Sequence, residues 1–231
     1  KASQQIGKIN VFADLQYRMV FYQANSIKFN DVNDTFRFFN PKAGITYTLN
    51  TASSIYGYFG IANKEPRRDD YEDGSIKPER LQDFELGYKF KNNKAILNIN
   101  AFYMKYKDQL VATGALNDVG SPIFENSGKS YRLGVEIESS IKVTNEVMIQ
   151  PNITLSTNKN KDFEFKRDGI LTNLGNTNIA YSPNIVAGNN ITLTPIKSLQ
   201  VSFLTKFVGK QYMGNIDAKK SVLPDFTTSD L

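Results

Sequence analysis

The sequence predicts an all-β protein, a transmembrane antiparallel up-and-down β-barrel or a large part of one. Three observations carry the prediction. Apolar and polar residues alternate with a period of two along most of the chain, the alternating segments are long, and tight turns alternate with long polar connections.

The first segment, 8–22, sets the pattern. Ile9, Val11, Ala13, Leu15, Tyr17 and Met19 hold one phase, and Lys8, Asn10, Asp14, Gln16 and Arg18 hold the other. Segment 42–50 sets Ala43, Ile45, Tyr47 and Leu49 against Gly44, Thr46, Thr48 and Asn50. In 53–61 the facing is ambiguous, because Tyr56 and Tyr58 alternate with Ile55 and Phe59. Segment 82–91 is clean again, with Phe84, Leu86, Tyr88 and Phe90 against Glu85, Gly87, Lys89 and Lys91. Segment 94–107 loses its alternation at Phe102, Tyr103 and Met104. The remaining strands are 130–142 (Tyr131, Leu133, Val135, Ile137), 146–157 (Val147, Ile149, Ile153, Leu155), 184–194 and 198–210 (Leu199, Val201, Phe203, Phe207). That makes about nine strands, and in the clean segments every charge falls on one phase. Because successive side chains of a strand point to opposite faces, each strand has one uncharged face and one wet face.

Short turns are predicted at 50–52, 91–93, 143–145 and 194–197, and long polar connections at 23–41, 62–81, 108–129, 158–183 and 211–231. One end of the sheet therefore carries tight hairpins and the other carries large loops. Pro41, Pro66, Pro78, Pro122, Pro183, Pro195 and Pro224 fall in loops, in turns or at strand starts, where a missing N–H costs little. Pro151 interrupts a strand, so a bulge or a lost ladder bond is expected there. A soluble β-sandwich also alternates, but its strands average ~5–6 residues. A barrel strand needs ~9–11 residues in hydrocarbon. Strand length and the turn–loop asymmetry favour the barrel, while the absence of Trp from the interfacial belt counts against it. Nine strands is an odd number and 221–231 reads as a polar end, so the expectation is a piece of a larger barrel.

Composition closes most enzyme chemistry. The 231 residues include no Cys and no His, which removes disulfides, thiol nucleophiles, Ser-His-Asp catalysis and nearly all transition-metal sites. A net charge of +5 is spread along the chain, and the one basic cluster, Lys64 to Arg68, runs straight into Asp69-Asp70-Tyr71-Glu72-Asp73. No nucleic-acid partner is expected from that mixed loop.

Four strings point to a family. Phe39-Asn40-Pro41-Lys42-Ala43-Gly44-Ile45-Thr46-Tyr47 resembles the NPKAG(I/L)xY opening of a late barrel strand in TonB-dependent outer-membrane receptors. Lys64-Glu65-Pro66-Arg67-Arg68-Asp69-Asp70-Tyr71 is similar to the loop that follows the next strand in that family. The stretch from Lys77 to Tyr88 resembles its kPERlxxxElGy segment, and Asn126 to Glu138 its NxGkxxxxGvEle segment. Their order and spacing match across essentially the whole chain. The Lys- and Asn-rich composition resembles a Bacteroidota member.

The resemblance implies the C-terminal part of a barrel of about 22 strands closed by an N-terminal plug. The plug, the TonB-contacting box, several early strands and the last three would lie outside residues 1–231. It further implies uptake of a scarce nutrient (siderophore-iron, cobalamin or a glycan) with energy from TonB, in the outer membrane of a Gram-negative bacterium. The partners are then outer-membrane lipid, the TonB complex acting through the plug, and a small nutrient ligand. No cofactor, metal or catalytic residue is expected. The alternatives are a passive porin-like or structural barrel and, more remotely, a barrel enzyme.

Candidate ligand-binding residues are Arg67, Arg68, Asp70 and Tyr71, two guanidiniums to grip an anionic chelate beside an aromatic wall. Asp69, Asp70, Glu72 and Asp73 offer oxygen ligands for a hard cation, but their spacing fits no EF-hand and a solvated loop is the simpler reading. Glu85, Arg132, Glu136 and Glu138 belong to the wet face. Glu136 and Glu138 lie ~7 Å apart along one strand, a carboxylate pair read as lumen-facing charges rather than as a glycosidase pair.

Overall fold

The structure is a computed structural model, and it describes residues 1–25, 31–72, 77–116, 120, 122–167 and 170–231. In chain order the strands are β1 (Ala2–Ile6), β2 (Ile9–Ala24), β3 (Val32–Thr48), β4 (Ser53–Lys64), β5 (Glu79–Lys91), β6 (Ala95–Lys107), β7 (Leu110–Leu116), β8 (Pro122–Asn126) and β9 (Lys129–Lys142). There follow β10 (Val147–Lys161), β11 (Glu164–Arg167), β12 (Ile170–Asn173), β13 (Thr177–Asn178), β14 (Ile185–Ile196), β15 (Leu199–Val208), β16 (Gln211–Tyr212), β17 (Val222–Leu223) and β18 (Phe226–Asp230). One short helix, α1 (Arg68–Glu72), lies between β4 and β5.

Eleven strands form one antiparallel wall in the order β1-β2-β3-β4-β5-β6-β9-β10-β14-β15-β18, with β13 added along β10. The pairs β7–β8, β11–β12 and β16–β17 are small separate hairpins inside the long connections. Every neighbour in the wall is antiparallel and follows its predecessor in sequence once those hairpins are set aside. Among the described residues β1 and β18 do not pair, so the wall is part of a barrel rather than a closed one.

A stacked sandwich would bury Ile9, Leu133 and Phe203 between two sheets. They are 37%, 52% and 42% exposed. The register explains why. Val11 pairs with Ile45, Ile55 with Tyr88, Leu86 with Ala101, Ala101 with Val135 and Ile153 with Ala187, so the apolar phases of successive strands coincide on one face. The opposite face gathers Asp14 beside Lys42, Glu138 beside Asn98 and Asn152, and Gln150 beside Asn190. Aromatic rings cross the apolar face near the long-loop end: Phe59, Phe84, Tyr103 and Tyr131 follow one another at 4.7, 6.3 and 6.3 Å between centroids.

The tight turns have local causes. Asn50 Oδ1 accepts the Ala52 N–H, and Asn92 Oδ1 accepts those of Lys94 and Ala95. Thr144 Oγ1 accepts from Glu146 and Val147 in the same way. Such side-chain turns reverse the chain in two to four residues without using up the ladder.

All nine predicted strands are present, with four corrections. The connection assigned to 23–41 is mostly strand, because β3 begins at Val32 and pairs with β2 as far as Ala24. Its first half carries Val32, Phe36 and Phe38 on the phase that is polar further along the strand, so the alternation there is out of step with segment 42–50. The polar end, 221–231, holds β18, which pairs Phe226–Asp230 with β15. Its Thr-Thr-Ser run has no apolar phase, and the strand forms because the β15 edge supplies free backbone partners. β1 was not predicted; Gly7, at φ +56°, closes its two-residue turn onto β2. The turn placed at 194–197 is tighter, since β14 reaches Ile196 through an irregularity between Leu193 and Ile196.

Pro151 behaves as its missing donor requires. Gln150 and Pro151 drop out of the β9–β10 ladder while the register on either side is unchanged, so there is a lost bond and no bulge. The facing of β4 is decided by glycines. Tyr56 lies across Gly87 of β5, and Tyr58 folds over Gly60 of its own strand and contacts Gly44, so both tyrosines take the polar face. Phe102 lies over Gly134 in the same way, which is why β6 seemed to lose its alternation. A Cβ at Gly134 would sit 2.5 Å from the Leu155 carbonyl oxygen and 2.6 Å from the Phe102 ring. Gly134→Ala should therefore destabilise the assembled barrel by about 1–3 kcal/mol, read as a lower temperature for loss of the compact gel migration of the folded barrel. Gly57→Ala, whose Cβ meets nothing closer than 3.9 Å, should leave that temperature unchanged.

Candidate ligand loop and lumen face

The loop between β4 and β5 is clamped to the tall β2–β3 hairpin. β3 pairs with β4 only from Lys42 onward, because Pro41 has no N–H to donate. Above that point Asn40, only 5% exposed, replaces the ladder: its Oδ1 accepts the Asn63 backbone N–H at 3.1 Å and the Asn63 side-chain amide at 2.8 Å. Arg18 reaches across from β2, donating to both carboxylate oxygens of Glu65 at 3.1 and 2.6 Å and to the Asn63 carbonyl at 3.0 Å. Its guanidinium lies over the Phe38 ring, 5.1 Å from the centroid.

The four candidate ligand residues sit together on and beside α1. Asp70 is buried, and its Oδ2 accepts the Arg67 backbone N–H at 2.7 Å with the Arg67 Nε 4.0 Å away. Tyr71 stacks on Tyr22 at 4.9 Å and 7°, and its hydroxyl donates to Asp34 Oδ2 at 2.8 Å. Tyr22 and Asp34 are cross-strand partners near the tip of the hairpin. Burial pushes the Tyr71 phenol above its ordinary value, and the bond to the Asp34 carboxylate adds to that. Arg67 and Arg68 lie at the exposed rim. Asp69 and Glu72 belong to the same helix, and Asp73 lies outside the described residues. Among the described residues no group of three or more carboxylates is arranged to hold a metal ion.

Glu85, Arg132, Glu136 and Glu138 all fall on the polar face. Glu136 stands beside Asn100, and Glu138 beside Asn98. Glu85 is opposite Tyr58 on one side and Phe102 on the other. Tyr56 ties this patch together, donating to Asn100 Oδ1 at 3.1 Å beneath the Lys89 ammonium, 4.9 Å from its ring. A cavity of about 390 Å³ opens here, with Asp83, Glu85, Lys89 and Tyr58 in its lining. Arg132 is drawn elsewhere: it donates to Ser182 Oγ at 3.0 Å and Asn158 Oδ1 at 3.4 Å, toward the long loops.

The long loops are bound to one another, which no local pattern in the chain signals. Val111, Phe163, Ile179 and Ile216, from three separate connections, form a small core. Beside it Asn215 Oδ1 accepts from the Ala180 N–H at 2.8 Å and from Asn160 at 3.2 Å. The partnerships of Arg18 with Glu65 and of Tyr22 and Asp34 with Tyr71 are equally invisible to residue spacing, since 37 to 49 residues separate the paired side chains.

A wall of long antiparallel strands, apolar outside and polar within, with tight turns at one end and large loops at the other, defines a transmembrane β-barrel of the outer-membrane type. The chain belongs to the TonB-dependent receptor family: the family model for the TonB dependent receptor-like β-barrel matches residues 10–231. Members of this family are outer-membrane barrels of Gram-negative bacteria. No protein of curated function matches the chain.

Among solved structures it is similar to the siderophore receptor PiuA from Acinetobacter baumannii, at 18% identity and a TM-score of 0.75, over 96% of this chain and 34% of that one. It is also similar to the FrpB iron transporter from Neisseria meningitidis, at 16% identity and 0.69, over 98% and 36%. The ferric yersiniabactin uptake receptor FyuA from Yersinia pestis matches at 16% and 0.65, over 97% and 35%. At such identities the likeness is one of fold, and the chain spans about a third of the length of these receptors.

The clamp makes two testable claims. Glu65→Gln should increase trypsin cleavage after Arg67 and Arg68 several-fold, and a double-mutant cycle with Arg18→Gln should return a coupling of about 1 kcal/mol. Because the folded Tyr71 phenol is raised above 10.0, its contribution is complete below that pH and is lost as pH climbs through the raised value. The tyrosinate absorbance difference between the wild type and Tyr71→Phe should therefore show one tyrosine ionising above the exposed ones, and Asp34→Asn should bring that titration down.

Proposed function

We propose that this chain is the C-terminal part of the barrel of an energised outer-membrane receptor that imports a scarce nutrient. An N-terminal plug closes its lumen, and TonB drives uptake by acting on that plug. The observation that carries the reading is the lumen face. Asp83, Glu85, Glu136 and Glu138 share the polar face, their cross-strand partners there are uncharged, and a plug carrying Arg or Lys would complement them. A passive pore would have no plug for these carboxylates to meet.

For the ligand we propose an anionic ferric chelate. Receptors for iron and siderophores are the solved structures to which the fold is similar, which supports siderophore-iron over cobalamin or a glycan. Arg67 and Arg68 at the loop rim would take the anion, while Asp70 and Tyr71 hold the helix that presents them. An exposed guanidinium recognises a carboxylate or catecholate through paired charged hydrogen bonds.

The full-length protein tests both parts. Purified receptor should bind a ferric siderophore, measured by calorimetry or by fluorescence quenching, and Arg67→Ala/Arg68→Ala should weaken the binding about tenfold or more, the loss of one to two charged hydrogen bonds. In planar bilayers the same protein should conduct little. Steady large conductance, or a gene with no plug-like domain upstream of Lys1, would overturn the importer; unchanged affinity in the double variant would remove only the two arginines.

A further inference from the structure

The outward face of β14 and β15 is interrupted at its centre. Along β14 the outward residues are Ile185, Ala187, Asn189, Ile191 and Leu193, and along β15 they are Leu199, Val201, Phe203, Thr205 and Phe207. Asn189 is directly opposite Thr205, so a carboxamide and a hydroxyl meet with apolar residues above and below them on both strands. The same rung holds Pro151 of β10 on one side and Ser229 of β18 on the other. Ser139 of β9 stands level with Pro151, where the ladder bond is lost. A line of Ser, Pro, Asn, Thr and Ser thus crosses five strands of the lipid-facing side, ~19 Å at ~4.8 Å per strand, with Asn189 at its midpoint.

The Asn189 side-chain oxygen is sealed from solvent and accepts no hydrogen bond among the described residues. Turned outward about its soft terminal torsion, the amide would enter hydrocarbon, which offers no partner either. In both positions the residue is a cost to a wall that stands alone. Lipid headgroups do not reach it, because two apolar outward residues separate it from either end of β14. Ala187, Pro151 and Thr205 keep the relief low around it, so a second protein wall can come close.

Two copies inserted in one membrane both carry their long loops outward, so a two-fold axis relating them runs along the membrane normal. About such an axis each residue on the line of contact meets its own copy at its own depth. A lone acid or base there would meet like charge. A carboxamide meets its complement, because it donates through Nδ2 and accepts through Oδ1. Asn side chains join transmembrane segments through hydrogen bonds of this kind. We infer that the outward face of β14 and β15 is the contact between two copies of this receptor, in which the two Asn189 amides pair reciprocally at mid-membrane. Thr205 and Pro151 of each wall pack beside them. The contact lies outside the lumen and is independent of nutrient uptake.

Residues 1–231 hold no Cys, so single cysteines report contacts directly. The experiment uses the full-length protein, with any cysteine elsewhere in it replaced by serine, in outer membranes and in a neutral maltoside. Oxidation of the Asn189→Cys variant in the membrane should give a disulfide-linked dimer. Leu86→Cys, on the outward face of β5 and away from the contact, should give about a tenth as much or less. In maltoside, wild type should run as a dimer by light scattering, and Asn189→Leu should raise its dissociation constant about tenfold or more, the loss of two amide hydrogen bonds. Diluted to monomer, Asn189→Leu should melt no lower than wild type, since leucine suits hydrocarbon better than an orphaned amide. If that variant fails to assemble, Asn189→Ala is measured in its place. Wild type monomeric at every concentration overturns the contact, as does equal cross-linking of Leu86→Cys or an Asn189→Leu dimer as tight as wild type. A monomer destabilised by Asn189→Leu makes the amide part of its own wall, and a disulfide from Asn189→Cys to a different protein gives the face to that protein; each of these overturns the inference too.

Discussion

In hydrocarbon a backbone N–H or C=O has no water to turn to, and each one left unpaired costs several kcal/mol. The ladder pairing of the wall follows from that constraint, and most other features follow from the ladder. Strands must be long enough to cross, so β2 and β3 run to 16 and 17 residues. Pairing fixes register, and register sets every side chain on one face or the other, because a slip of one residue would turn the whole apolar phase inward. Where a donor is missing the structure responds locally. Pro151 leaves a gap in one ladder, and Pro41 ends another and hands its partner strand to the Asn40 side chain.

With the backbone satisfied, the two faces meet different solvents and obey different rules. On the outer face, exposed Leu15, Phe21 and Leu86 are normal because lipid is as apolar as they are. The inner face cannot bury an apolar core, so its packing relies on rings lying over glycines. Tyr56 on Gly87 and Phe102 on Gly134 flatten large side chains against the wall and leave the lumen open.

The loops are anchored with the same economy. α1 has only five residues, too few to be stable alone. It is held by the Tyr71–Tyr22 stack, the bond from Tyr71 to Asp34, and the Arg18–Glu65 pair. The hairpin that supplies three of those partners rises beyond the point where the hydrophobic pattern ends, so the part of β3 that reads least like a strand is the part that positions the candidate ligand residues.

Period-two alternation determined the fold class, nearly every strand and the facing of most side chains, because a strand exposed to two different solvents must carry both signatures in every pair of residues. The same string placed Arg67, Arg68, Asp70 and Tyr71 near one another, since they are neighbours in the chain. Only the tertiary structure decided the rest. Alternation misleads where its sense inverts, as in Val32–Phe39, whose Phe36 and Phe38 turn to the inner face, and it is silent where a strand is recruited by a free edge, as in Phe226–Asp230. Residue spacing is silent about contacts across tens of residues, so the grip of Arg18 on Glu65 and the glycines under the rings emerged only when the strands were set in register.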